Sequence, residues 1–285
     1  MGPASYPARL MSQLFAVVSS AFYGFADLSG GLATRRMALW GVMAWSQTLG
    51  LGLLAVGVVV VGTDVVAVSD VAYGALGGVF GVIGLAILYS TLAAGTMSVV
   101  APITGAIAAV VPVAVDLITG SRPGPRALTG IGMALVAVLV IGMAGRAHGL
   151  SKAILGRAFL AGVSFGVFFI AFSQTSEESG LWPLVVARLA TIPVLALIAV
   201  VTGTMVRPRG RDLRLLVIAG NLDMGANVFL SLALQRGPLA VNAVLVSLYP
   251  AFTVLAAVVV LKERPVRMQW LGIALAVISA ALLAL

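Results

Sequence analysis

The sequence predicts an all-α integral membrane protein, with ten transmembrane helices arranged as two inverted five-helix repeats inside a single membrane domain (1–145 and 146–285). Three observations predict it. Of the 285 residues, 61% are hydrophobic and only 9% charged, whereas soluble domains carry roughly 25% charged residues. The apolar residues gather into runs of about the 20 that an α-helix needs to cross the hydrocarbon core. The chain also resembles itself when slid by half its length.

The runs lie near 10–32, 40–62, 71–93, 97–119, 127–145, 156–175, 182–204, 214–234, 239–261 and 267–285. Strands of a membrane barrel would alternate apolar and polar residues over about ten positions. Stretches such as Val56 to Val61 and Val254 to Leu261 do not alternate, so the runs are helices. The first run continues to Asp27 with no small-residue cleavage signature, which marks it as a retained helix. The connections are too short for a second domain; the longest, Arg146 to Gly156, has room for a short interfacial segment.

At the half-length offset Gly95 falls on Gly237, Ala101 on Ala243, Arg122 on Arg264, Pro123 on Pro265, Gly130 on Gly272 and Ala134 on Ala276. Tyr23, Gly24, Trp40 and Gly78 fall on Phe165, Gly166, Trp182 and Gly220. Because five helices is an odd number, the second copy must enter the membrane upside down. Charge agrees: Arg35 and Arg36 face Glu177 and Glu178 in the alignment, and the Asp64 to Asp70 connection faces Arg207, Arg209, Arg211 and Arg214. Inverted halves closing on a midplane site are a route to alternating access, and so to carriage of a small molecule.

Composition narrows the function classes. With no cysteine and one histidine, His148, the chain has neither a disulfide framework nor a common zinc site. There is no phosphate-binding G-x-x-x-x-G-K-[ST] loop, and no cofactor is expected. The net charge of +8 is scattered over connections, which suits anionic lipid headgroups and gives no face for nucleic acid. Gly162-Val163-Ser164-Phe165-Gly166 matches the G-x-S-x-G nucleophile pattern, but it sits mid-helix with no preceding strand and no nearby histidine. No enzyme is expected; a passive channel or facilitator and a non-transporting membrane scaffold are the alternatives to a carrier.

The first run closes on Tyr23-Gly24-Phe25-Ala26-Asp27-Leu28-Ser29-Gly30-Gly31-Leu32-Ala33-Thr34-Arg35-Arg36, and the second half carries Leu261-Lys262-Glu263-Arg264-Pro265 followed by Gln269 and Gly272. With the duplicated ten-span layout, these residues resemble the EamA-type family of the drug/metabolite transporter superfamily. The first half departs from the family pattern, having Gly120-Ser121-Arg122-Pro123 where an acidic residue is usual. The resemblance implies export of an amino acid, a related metabolite or a drug-like compound through a central cavity in the plasma or inner membrane of the cell, often with proton exchange. It also implies termini in the cytoplasm, against the Lys and Arg concentrated in the connections after odd-numbered spans, which place them outside.

Ionisable residues at membrane depth are functional candidates, here Asp27, Asp116, Arg188 and Asp223. At a rise of about 1.5 Å per residue, Asp27 and Asp223 lie about 12 and 13 Å from Arg35 and Arg214, near one level at the midplane. Asp223 and Asn227 share a helix face, with Asn221 beside them, as a cavity lining or as interhelical hydrogen-bonding glue. Asp27 and Asp223 are the proton-coupling or cation-binding candidates. Arg188, which stays charged, needs Asp223, Asp116 or a substrate carboxylate. Asp116 lies nearer an edge, where a solvated role is expected. Tyr23, Trp45, Tyr89 and Tyr249 offer stacking surfaces or ordinary packing, with Tyr249 favoured beside Pro250. Pro102, Pro112, Pro193 and Pro250 interrupt spans. Gly74, Gly77, Gly78, Gly81 and Gly84 form a small-residue face on the third span; Gly272, Ala276, Ala280 and Ala284 form another on the last, for internal packing or a homodimer.

Overall fold

A computed structural model describes residues 6–63, 65–93, 97–120, 123–144, 152–262, 264 and 266–284. In chain order the helices are α1 (Tyr6–Thr34), α2 (Leu39–Leu49), α3 (Leu51–Val61), α4 (Val68–Ala93), α5 (Met97–Ile118), α6 (Pro125–Ala144), α7 (Lys152–Ser173), α8 (Trp182–Val201), α9 (Gly210–Arg236), α10 (Leu239–Val246), α11 (Tyr249–Leu261) and α12 (Arg267–Ala284). A short 3-10 turn, Glu177–Ser179, joins α7 to α8, and no strand occurs among the described residues. Asp64, Gly95, Ser121, Arg122, Arg146, His148, Glu263 and Pro265, used in the sequence reading, lie outside them.

A helix stands at each of the ten predicted positions, two of them interrupted. The second breaks at Gly50, where the backbone of α9 passes so close that a Cβ would lie 2.6 Å from the Gly220 carbonyl oxygen. The ninth breaks at Ser247 and Leu248, and Pro250, with no N–H to donate, falls in the first turn of the new helix, where that donor would have no partner. Pro102, Pro112 and Pro193, by contrast, lie inside continuous helices.

Among the described residues, seven stretches are long and apolar enough to cross a membrane: Leu39–Val61, Val68–Thr91, Val100–Ile118, Lys152–Ser173, Trp182–Val201, Gly210–Arg236 and Leu239–Leu261. Pro125–Ile141 and Arg267–Leu283 are apolar but shorter. Helix α1 is long enough, yet it carries buried Ser12, Gln13, Ser19, Ser20 and Asp27, which turn its polar side into the protein. The exposed large side chains are mostly aliphatic, with Val68 and Ile118 exposed at 87% and 84% and Phe159, Trp182 and Trp270 among them; only lipid is a fitting solvent for such a surface.

Close helix contacts set the packing. Helices α1 and α9 run antiparallel, with Ser19 Oγ donating to the Ala226 carbonyl (2.8 Å) and Phe22 seated on Gly225. Helices α4 and α7 are also antiparallel, with Gly77, Gly81 and Gly84 under Phe172, Phe168 and Phe165. Toward α8, Gly74 and Gly78 receive Pro183 and Ala187, so the expected single small-residue face of α4 is divided between two neighbours. At about 100° per residue the five glycines fan over about 120° of one side of α4, wide enough to meet two neighbours. Helices α6 and α12 pack tightly, Gly130 against Leu283 and Gly272 against Ile141. Gly272 and Ala276 thus serve internal packing. Helix α10 is buried along its whole length.

Candidate functional site

The polar residues of five helices converge at the centre of the bundle. Arg188 of α8 places Nη2 3.3 Å from Asp223 Oδ2 of α9, both residues more than nine-tenths buried. Gln47 of α2 donates from Nε2 to the same carboxylate oxygen at 3.3 Å. One turn along α9, Asn227 Nδ2 donates to the Asp223 carbonyl at 2.7 Å, which orients the amide beside the pair. A guanidinium removed from water requires such a counter-charge.

Asp27 of α1 lies in the same cavity, 5% exposed, with no hydrogen bond or ion pair to any described residue. Tyr23, one turn earlier, lines the cavity on the same face of α1. Tyr249, at the start of α11, fixes its hydroxyl on the Ala101 carbonyl at 3.0 Å and presents its ring. The walls are apolar, with Phe165, Phe168 and Phe169 of α7 and Leu85 and Leu88 of α4. Gly78 and Gly81 keep side chains off the α4 wall, and the cavity, partly open, has about 680 Å³ of space free of protein atoms when the open solvent at its mouth is included.

Six of the seven expected site residues therefore meet: Tyr23, Asp27, Arg188, Asp223, Asn227 and Tyr249. Asn221 does not. Two residues from Asp223 on a helix means about 200° of rotation, and Asn221 points away, bonded to its own Val217 carbonyl at 2.8 Å. Gln47 escaped the sequence reading although an amide in the middle of an apolar run was a signal for it. Of the other aromatic candidates, Trp45 donates to the Val206 carbonyl at 3.0 Å and Tyr89 is buried against Gly30. The Ser164 hydroxyl is bound back to the Leu160 carbonyl at 2.9 Å, and its flanking glycines admit Ile107 and Val111 of α5. Asp116, expected to be solvated, is half-buried and accepts the Ala240 N–H at 2.9 Å, satisfying an orphan donor at the start of α10.

Two further acids tie connections to helix starts at opposite ends of the bundle. Asp70, in the first turn of α4, accepts both the Ser176 N–H (3.1 Å) and its hydroxyl (2.7 Å). Around it Gln235 reaches Thr175 and Gly180, and Arg236 pairs with Glu177 at 2.6 Å. Asp212, in the first turn of α9, pairs with Arg36 of the α1–α2 connection. Asp70 is 2% exposed, whereas the Arg36 and Asp212 side chains are 46% and 28% exposed.

Residues 152–285 match the model of the EamA-like transporter family. The match covers the second half of the chain. The chain is a multi-pass membrane protein, and the members of the EamA-like family are transporters. Among solved proteins, one known by a crystal structure is 21% identical, with a TM-score of 0.75 over 96% of this chain and 98% of its own, so the two share a fold. No curated protein matches the chain in sequence. The matched EamA-like segment contributes Arg188, Asp223, Asn227 and Tyr249; the preceding part contributes Tyr23, Asp27 and Gln47.

Proposed function

We propose that the chain is a secondary transporter that moves a small metabolite by alternating access, with proton coupling, through ten transmembrane helices built as inverted repeats 1–145 and 146–285. The cell membrane is its site of action, and export follows from the family resemblance.

The observation that carries this reading is a reciprocal contact. Gly130 receives Leu283 while Gly272 receives Ile141, and both the glycines and their partners occupy matching positions of the two halves. Each half thus offers the other the same surface, as two copies related by a two-fold axis do. In the same contacts the residue number rises along α6 as it falls along α12. Equivalent helices running antiparallel support an inverted pair.

The acids at the two ends extend the correspondence, since Asp70 and Asp212 match at the same half-length offset. Each holds the connection that follows the first helix of the opposite half. A tight, buried closure at Asp70 and a looser, exposed one at Asp212 suit a carrier caught with unequal mouths. Exchange of the two arrangements would move the opening across the membrane while the Arg188–Asp223 level stays put.

Proteoliposomes containing the purified chain provide the test, with labelled amino acids and amines supplied across an imposed pH gradient. Saturable flux abolished by a protonophore is expected. Flux linear in concentration would indicate a channel, and no flux for any compound a scaffold; either outcome contradicts the proposal.

A further inference from the structure

The charge of the cavity selects a class of cargo. Two carboxylates, Asp27 and Asp223, face one guanidinium, Arg188. Arg188 is taken up by Asp223 at 3.3 Å, and its Nε is sealed from the cavity without a partner. Asp27 remains, nine-tenths buried and bonded to no described residue; its oxygens are not among the sealed atoms, so they open onto the cavity.

We infer that the cargo is a monovalent organic cation, an amine with an apolar or aromatic body, whose charged head meets Asp27 while its body lies against Phe165, Phe168 and Phe169. The inference rests on the carrier reading of this cavity and adds the charge of what it carries. Three physical points support it. A carboxylate at membrane depth without a counter-charge favours any cation that brings one. The Tyr23 ring, one turn from Asp27 on the same face of α1 and in the same cavity, offers cation–π attraction to that head, strongest where water is excluded. An anion would need Arg188, and taking it would strip Asp223 of its partner and leave two uncompensated carboxylates beside the cargo; a zwitterion could offer its ammonium to Asp27, but its carboxylate would still compete with Asp223 for Arg188.

Four compounds that share one benzene ring and differ in charge test this: 2-phenylethylamine, phenylalanine, 3-phenylpropionate and 2-phenylethanol. Calorimetric binding to the purified full chain in detergent is the first measurement. The amine should bind about tenfold or more tightly than the other three, since a charge-assisted bond separates them. Asp27→Asn should reduce its affinity to that of the neutral alcohol, while Asp27→Glu, which keeps the charge, should retain it. An unchanged gel-filtration profile marks the variants as folded.

Equal or tighter binding of phenylalanine or 3-phenylpropionate, undiminished amine binding in Asp27→Asn, or no binding by the amine would each overturn the inference. Counterflow of the same four compounds in proteoliposomes keeps the two claims apart. Transport of phenylalanine or the anion with no role for Asp27 leaves the carrier standing and removes the cation. Asp27-dependent binding of the amine with no transport of any compound keeps the cation site and removes the carrier.

Discussion

Arg188 and Asp223 meet from different helices at 3.3 Å with side-chain exposures of 7% and 12%, so each is the other's counter-charge in a place where water supplies none. Removing one partner of such a pair costs about 3–5 kcal/mol, mostly as the penalty of the stranded charge. Asp223→Asn and Arg188→Gln should therefore each lower the midpoint of thermal unfolding and weaken transport. The double variant should unfold at a higher temperature than either single one. Additive losses in a double-mutant cycle read by thermal unfolding would contradict a coupled pair.

Asp27 has the accessible carboxyl of the site and no protein partner among the described residues. If it exchanges protons during the cycle, Asp27→Asn should flatten the pH dependence of transport and uncouple flux from an imposed gradient. An unaltered pH profile in the variant would remove Asp27 from coupling.

Much of this arrangement could be read in the chain. The apolar runs were legible as helices, two of them broken in the structure, because a bilayer allows little else, and the four-residue spacing of Asp223 and Asn227 foretold a shared face. What could not be read depends on neighbours distant in sequence. Asn221 has the same composition signal as Asn227 and differs only in the direction it faces. The choice of Asp223 over Asp116 as partner of Arg188 is a fact of packing, as is the use of Asp116 to hold the start of α10. The break at Gly50 is likewise invisible without the α9 backbone that crosses it.

Asp116 makes a further prediction. It acts as a cap supplied from another helix, so Asp116→Ala should cost about 0.5–2 kcal/mol of stability, the range for lost caps. Thermal unfolding should register the loss while the affinity for cargo stays unchanged; altered affinity would make Asp116 part of the site.

The glycines separate by what they face. A methyl group at Gly220 would strike the Ser46 carbonyl of α2, which is backbone and cannot yield, whereas at Gly81 it would meet the Phe168 ring at an ordinary 3.5 Å. Gly220→Ala should lower the unfolding midpoint sharply. Gly81→Ala should be neutral or slightly stabilising, because alanine is favoured over glycine in a helix by roughly 0.5–1 kcal/mol. The reverse order in thermal unfolding would contradict the packing of α2 on α9.

The central claim, two mouths that open in turn, is open to direct measurement because the chain has no cysteine of its own. Ser179→Cys reports on the connection held by Asp70, and Met37→Cys, at the matching position of the first half, reports on the one held by Asp212. Labelling by a membrane-impermeant maleimide should be reciprocal: Asp70→Asn should raise the reactivity of Cys at 179 and lower it at 37, and Asp212→Asn should do the opposite. Simultaneous reactivity at both positions, or no change at either, would contradict alternating access.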